Sequence, residues 1–289
     1  MAAGLAESAG RVTLTDGAWG TELQAQGLAG GACPDAWNLE NPPAVESVAR
    51  GYVEAGSQII LTNTFRASPF VLASWGLADR AGEIAEAGAA ISRRAAGESV
   101  RVFGSMGPTG KIVMVEETPP EEIASAFGQQ AAALARGGVD AILCETFVEL
   151  AEAMLAARAA MANTDLPVVV SMTFDAGPDR CATVMGTKPA DLAAAAAEAG
   201  VAAIGANCGT GPEHYVTIAR LFAEATDLPV WIKPNAGLPV LRDGQTVFPM
   251  GPSEFAEYAR PLADAGANFI GGCCGTSPDH IRAVLAALR

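Results

Sequence analysis

The stretch Gly200-Val201-Ala202-Ala203-Ile204-Gly205-Ala206-Asn207 reads as a helix end, an apolar strand and then a polar residue seven places after the glycine. The same arrangement occurs three more times. Gly56 leads through Ile59-Ile60-Leu61 to Asn63, Gly138 through Ala141-Ile142-Leu143-Cys144 to Glu145, and Gly266 through Phe269-Ile270-Gly271-Gly272 to Cys273. Glycine closes a helix well because it enters the left-handed region without a Cβ penalty. Short, uninterrupted apolar runs are what a parallel sheet buried on both faces requires.

Four further strand candidates, 11–15, 101–105, 168–173 and 230–233, fall between these. Two of them enter through Asp-Leu-Pro-Val, and proline suits the first residue of a strand, where its missing N–H costs little. Alanine-rich helical patterns occupy about 43–55, 80–96, 119–136, 148–162, 188–199, 212–225, 251–265 and 277–288. Eight strands alternating with eight helices predict an α/β fold, a single-domain (β/α)8 TIM barrel over residues 11–289 after a loose N-terminus at 1–10. A doubly wound open sheet fits less well, since no G-x-G-x-x-G opens a helix after the first strand. The Pro/Gly-rich stretch 234–252 reads as an active-site loop.

Bulk properties agree. Half of the 289 residues are hydrophobic and 17% are charged, which supports one large core. A net charge of −14 argues against a nucleic-acid partner and against an anionic membrane surface. No run approaches the roughly 18 apolar residues of a membrane span. The first residues lack the regions of a signal peptide, so a cytoplasmic location is expected. Six cysteines are too sparse for a secreted disulfide scaffold and are expected as free thiols, core fillers or metal ligands.

A barrel places chemistry at the C-terminal ends of its strands. The residues there are Asp16, Asn63, Ser105, Glu145, Thr173, Asn207 with Cys208, Asn235, and Cys273 with Cys274. Strands six and eight end in near-copies of one motif, Gly205-Ala206-Asn207-Cys208-Gly209-Thr210-Gly211-Pro212-Glu213-His214 and Gly271-Gly272-Cys273-Cys274-Gly275-Thr276-Ser277-Pro278-Asp279-His280. Cys208 and Cys274 hold equivalent positions, with Cys273 one residue before. Three thiols on one wall are the donor set of a catalytic zinc ion, which takes soft tetrahedral ligands and keeps one position open. The flanking glycines let the backbone bend so that adjacent Cys273 and Cys274 both face the metal, against ordinary strand alternation. A vicinal redox pair is the lesser alternative, because such a disulfide is strained. His214 and His280 each follow a proline at a helix start and read as capping structure rather than ligands. Cys144 reads as core, and Cys33 and Cys181 as loop thiols without partners at metal spacing.

With these motifs stand Asp16-Gly17-Ala18-Trp19-Gly20-Thr21, Thr62-Asn63-Thr64-Phe65, Gly107-Pro108-Thr109-Gly110 and Glu145-Thr146. Together they resemble the homocysteine S-methyltransferase family from about Arg11 to the C-terminus. That family includes the homocysteine domain of cobalamin-dependent methionine synthase, betaine–homocysteine methyltransferase and S-methylmethionine-dependent enzymes. The resemblance implies one Zn2+ per chain on Cys208, Cys273 and Cys274, and methyl transfer to the thiol of homocysteine to give methionine. It also implies that Glu145 and the Asp16-Gly17 turn hold the amino acid end of the substrate, with Asn63 and Asn207 on the same rim. A carboxylate suits an ammonium, and turn N–H groups suit a carboxylate. The substrate sulfur is expected to complete the metal's coordination and react as a thiolate.

The donor stays open. The positions matching the aromatic cage of the betaine enzymes are Cys33, Arg66 and Thr146, none aromatic, and Arg66 would repel a cation. Trp19, Trp37 and Phe65 stand nearby and serve equally well as packing. The Gly-Cys-Cys-Gly-Thr ending and Pro234-Asn235-Ala236-Gly237-Leu238-Pro239 resemble the methionine-synthase version, whose folate, cobalamin and reactivation modules find no room in 289 residues. A methylcobalamin-type corrinoid on a separate protein, or a small donor such as S-methylmethionine or betaine, is therefore expected. Two other readings are a partner-dependent acceptor subunit inactive alone, and a Schiff-base lyase using Lys233. The lyase leaves the cysteines unexplained, and Lys233 could equally pair with a rim acid.

Overall fold

The computed structural model describes residues 12–115, 117–242 and 245–289; the loose start expected at 1–10 lies outside the described residues. Eight parallel strands form one sheet: β1 Thr13–Leu14, β2 Ile59–Leu61, β3 Arg101–Met106, β4 Ala141–Phe147, β5 Val168–Met172, β6 Ala203–Cys208, β7 Val230–Pro234 and β8 Ala267–Ile270. Their hydrogen-bonded order is β1-β8-β7-β6-β5-β4-β3-β2. Gln58 bridges the seam between β2 and β1. Its N–H donates to the Leu14 carbonyl at 2.8 Å, and its side-chain Oε1 accepts from the Leu14 N–H at 3.0 Å. The expected (β/α)8 barrel is the architecture observed.

The surrounding helices are α1 Pro42–Ala55, α2 Ala81–Ala96, α3 Pro120–Arg136, α4 Leu150–Asn163, α5 Pro189–Ala199, α6 Pro212–Ala225, a divided α7, and α8 Pro278–Leu288. Proline opens α1, α3, α5, α6 and α8, where its fixed φ is already helical and its missing N–H goes unused. The four repeat glycines, Gly56, Gly138, Gly200 and Gly266, have φ of 98°, 90°, 76° and 106°, the left-handed conformation that the repeat demands. Helix α7 departs from the single helix expected at 251–265. It breaks into Pro252–Ala256 and Ala259–Asp264, because Pro261 has no N–H for the Glu257 carbonyl and its ring crowds that turn.

The barrel interior is a cluster of its own: Ile59, Leu61, Phe103, Ala141, Leu143, Val169, Ala203, Trp231 and Phe269. Trp231 stacks on Phe103 at 5.6 Å between centroids and tilts against Phe269 at 5.3 Å. A larger core fills the space between strands and helices. Gly205 makes the Trp231 position possible, since a Cβ there would stand 1.8 Å from the Trp231 carbonyl oxygen. That atom is backbone and cannot swing aside. Gly205→Ala is expected to cost about 3 kcal/mol, the upper range for overpacking, read as a lowered urea midpoint at unchanged slope.

The loop after β7 carries an antiparallel hairpin, Val240–Arg242 with Gln245–Val247, folded beside the C-terminal mouth. No helix among the described residues is long and apolar enough to cross a membrane.

Candidate metal centre and substrate cavity

At the C-terminal mouth lies a cavity of about 390 Å3 with the thiols along one wall. The Sγ atoms of Cys208, Cys273 and Cys274 all lie within 4.8 Å of one another, and all three are free and half-buried. Local structure explains the convergence. Cys208 ends β6 in the left-handed region, φ 67°, and its carbonyl accepts the Tyr215 hydroxyl at 2.7 Å. Beyond β8 the chain leaves the regular strand that was expected to reach Gly272. Gly271 N–H donates to the Ile232 carbonyl on one side, and Gly272 N–H to the Asp16 carbonyl on the other. A Cβ on Gly271 would lie 2.0 Å from Thr15 Oγ1, so only glycine threads this gap and delivers both cysteines to the mouth.

Sulfurs this close cannot all ionise unaided. Hydrogen bonds from Cys273 and Cys274 draw Cys208 down to about 3. The same contact with Cys208 pushes Cys273 up to about 12, and Cys208 with Cys273 drive Cys274 far above the ordinary thiol range. A soft divalent cation resolves this conflict by taking all three as thiolates. The donor set fits a tetrahedral thiolate site with one position open.

Across the cavity Glu145 is 7% exposed, and its Oε1 accepts the Ser105 hydroxyl at 2.5 Å. Burial pushes its carboxyl up to about 7, against the lowering charge of Lys233. The next residue, Thr146, sits at φ 67°, a conformation costly for a β-branched residue. Asn207 holds it there. Its Oδ1 accepts from Thr146 N–H at 3.0 Å, and its Nδ2 donates to Thr146 Oγ1 at 2.7 Å.

Asn207 is fully buried behind the cavity wall. Expected on the substrate rim, it braces the Glu145-Thr146 turn. Its Oδ1 also accepts the Ser171 hydroxyl at 2.6 Å, and its Nδ2 lies 3.5 Å from Glu145 Oε2 and 3.9 Å from Cys273 Sγ. Asp16, also expected beside the substrate, is paired within the protein. Its Oδ1 is ion-paired with Lys233, and its Oδ2 accepts from Trp19 Nε1 at 2.9 Å and Leu61 N–H at 2.7 Å. Both oxygens are occupied and the residue is fully buried, so the neighbouring Gly17, rather than the Asp16 carboxylate, faces the cavity. Lys233 is thereby engaged by Asp16 rather than held free as the nucleophile of a Schiff-base enzyme.

Asn63 lines the cavity while its amide pins the 34–38 segment, donating to the Pro34 carbonyl at 2.8 Å and to Asn38 Oδ1 at 3.0 Å. Thr173 and Asn235 spend their side chains on the carbonyls of Asn207 and Gly209. His280 completes a capping box with Ser277 and lies against the Met250 carbonyl; His214 is the third residue of α6. Cys33 and Cys144 are buried, Cys181 is half-exposed, and none joins the thiol cluster.

Two cavity residues carry more than their sequence suggested: Asp35, which no motif marks, and Arg66, noted above only as a cage position. Asp35 is 2% exposed, accepts the Arg66 N–H at 2.8 Å, and has its carboxyl pushed up to about 7 by burial. Its unfolded value is near 3.8. A raised folded pKa means that the group's contribution to stability is complete below about 4 and is lost as pH rises through about 7. Asp35→Asn removes that loss. In denaturation at several pH values, the stability lead of the variant over the parent is expected to widen by about 2–3 kcal/mol between pH 5 and 8.

An eight-stranded barrel with three converging thiols at its mouth defines the class, a (β/α)8 protein with a thiol cluster able to hold a metal. The chain belongs to the homocysteine S-methyltransferase family, which it matches over residues 13–288. It is 36% identical over 298 aligned residues to methionine synthase of Mycobacterium leprae (strain TN), covering 96% of this chain and 24% of that protein. With methionine synthase of Mycobacterium tuberculosis (strain ATCC 25618 / H37Rv) the identity is also 36%, over 96% of this chain and 25% of that protein. The chain thus spans about a quarter of the length of these relatives. Among solved structures, the metallated form of the homocysteine methyltransferase MmuM from Escherichia coli superposes with a TM-score of 0.80 at 26% identity, over 95% of this chain and 96% of that one. The oxidised form gives 0.79 at the same identity, over 95% of each chain. The carboxyl transferase domain of Rhizobium etli pyruvate carboxylase, at 15% identity and a TM-score of 0.54 over 96% of this chain and 46% of that one, shares the fold alone.

Proposed function

We propose that this single barrel domain transfers a methyl group to the thiol of homocysteine, giving methionine, with one zinc ion held by Cys208, Cys273 and Cys274. The observation that carries the reading is the convergence of three thiols opposite a buried carboxylate within one cavity. Zinc at such a site supplies an open coordination position and lowers the pKa of a substrate thiol. The chain's own residues bind and orient. Glu145 receives the substrate ammonium, whose charge draws the raised carboxyl pKa back down. Ser105 holds one carboxylate oxygen, and the Gly17 turn faces the substrate carboxylate. Asn207 keeps the Thr146 turn in its left-handed state and so aims Glu145. Trp19, Phe65 and Phe248 line the cavity and exclude water around the reacting sulfur. In the transfer, a C–S bond forms from the sulfur electron pair, the thiol proton passes to solvent, and the donor keeps the pair of the bond that breaks.

A methylcorrinoid carried by a further protein module is the donor this reading favours. Ile112, Met114 and Val115 after β3, Val184 and Met185 after β5, and Leu238, Val240 and Leu241 after β7 are exposed large hydrophobics on loops at this mouth. Apolar surface gathered around a reactive opening suits a docking partner, and the methionine synthase relatives support it. A small donor such as S-methylmethionine is the second reading, favoured by the near-complete mutual coverage with MmuM. Six free cysteines fit a reducing, cytoplasmic setting.

The test is metal analysis of the purified protein with homocysteine methylation from methylcobalamin, S-methylmethionine and betaine in parallel. About one zinc per chain and methionine formation are expected. Homocysteine binding with no turnover from any free donor would favour the partner-dependent acceptor subunit, and an active protein without metal overturns the metal role.

A further inference from the structure

The cavity that holds the thiols and Glu145 also holds a charge that the methyl-acceptor chemistry does not use. Arg66 lines the cavity together with Asp35. Its backbone is pinned by the Asp35 carboxylate at 2.8 Å, and its Cζ lies 5.8 Å from the centroid of the Trp75 ring. That ring is itself held, since Trp75 Nε1 donates to the Gly31 carbonyl at 3.0 Å. The guanidinium is thus placed by built contacts at both its root and its tip.

No ion pair reaches Arg66 among the described residues. The carboxylates of the site are committed elsewhere: Asp16 to Lys233, and Glu145 to Ser105 on the far side. Asp35 also lines the cavity, but its carboxylate accepts the Arg66 main-chain N–H and forms no ion pair with the guanidinium. Guanidinium stays charged throughout the working pH range and presents donors in a planar fork that matches carboxylate and phosphate oxygens. Lys233, the other cation lining the cavity, is already neutralised by Asp16. The cavity therefore offers one cation outside any ion pair, with directed donors.

Resting on the methyl-transfer reading above, we propose that Arg66 is the donor-selecting residue. Its guanidinium receives an anionic oxygen of the incoming methyl donor, and it disfavours donors that carry positive charge alone. A carboxylate arm on a small donor and a phosphate on a large one present the same chemistry to it. Either oxygen, engaged at Arg66, leaves the methyl-bearing end of the donor directed inward toward the thiol wall.

Two sulfonium probes isolate this property: dimethylsulfoniopropionate, which carries a carboxylate arm, and trimethylsulfonium, which does not. Their affinities are measured by calorimetry on the zinc-loaded protein, with 2-aminobutyrate filling the amino acid anchor so that no methyl transfer consumes the probe. The parent protein is expected to bind the carboxylate-bearing probe at least about tenfold more tightly, a typical effect of one charge-assisted contact in a partly enclosed site. Arg66→Gln is expected to collapse that ratio about tenfold and Arg66→Lys to keep most of it. Arg66→Met, which packs against Trp75 without charge, repeats the Gln result should that variant fold poorly. Equal ratios in the parent, Gln and Met proteins overturn the proposal, as does failure of the parent to bind either probe. So does an Arg66→Gln effect confined to 2-aminobutyrate affinity, which would assign the guanidinium to the acceptor. Homocysteine methylation, assayed separately, reports on the underlying reading: its absence with every donor removes that reading, whereas an unchanged probe ratio alongside active methylation removes only the role of Arg66.

Discussion

Replacing Cys208, Cys273 or Cys274 singly by alanine is expected to remove bound metal and to cut homocysteine methylation by about a thousandfold or more, with the barrel left folded. A site of three protein ligands plus an open position has none to spare, and two thiols cannot hold the ion in the same geometry. The cysteines are half-buried rather than central to the core, so the loss should not be a folding defect. Physical crowding sharpens the expectation. Without metal the three sulfurs compete for ionisation, Cys208 drawn down and Cys273 and Cys274 held up. Removing one thiol relieves that competition, so the metal-free variants should be no less stable than the metal-free parent. Added zinc should raise the melting temperature of the parent through binding to the folded state alone and leave the variants where they were. Metal analysis, circular dichroism and melting with and without zinc separate the two effects. A variant that retains a full equivalent of zinc and its activity would sink the assignment of that ligand.

The same thiols illustrate what could be read from the sequence. The Gly-to-polar spacing of the repeat depends only on local rules, a left-handed helix end followed by a short buried strand, and all four glycines have the required φ. The duplicated Cys-Gly-Thr motif at equivalent strand ends likewise carried its own geometry, because a barrel maps equal offsets onto one rim. What failed to show was partnership across the barrel. Asp16 looked like a rim acid, but its ion-pair partner Lys233 stands 217 residues away, and no local pattern states that its second oxygen serves Trp19 and Leu61. Asn207 is visible as a rim residue, but strand alternation next to Cys208 does not state that its amide braces the Glu145-Thr146 turn. Asp35 lies in a single 3-10 turn, Pro34–Ala36, and Arg66 in a turn, both too short for periodicity to report burial. The α7 break was legible in principle, since Pro261 is visible in the chain, and the alanine-rich pattern around it masked the interruption.

The largest stability effect is expected from Asp16. Asp16→Ala should cost about 3–5 kcal/mol, the range for leaving a buried charge without its partner. The Lys233 ammonium is 2% exposed and could reach no water without opening the barrel mouth. The loss extends beyond the ion pair. Asp16 Oδ2 accepts the Leu61 N–H, so the carboxylate ties the end of β1 to β2 across the seam that Gln58 bridges lower down, while its other oxygen reaches β7 through Lys233. One side chain thus links three strands at the point where the sheet closes. Lys233→Met should also destabilise, by leaving the Asp16 charge with only two neutral donors, and the double variant Asp16→Ala/Lys233→Met should recover much of the loss, because an apolar replacement of a buried pair removes both desolvation penalties. A urea-denaturation double-mutant cycle measures this, with a coupling of about 2 kcal/mol or more expected. Additive single effects, or an Asp16→Ala variant as stable as the parent, would show that the pair is not what closes the seam, and would return the Asp16 carboxylate to consideration as a group held free for substrate.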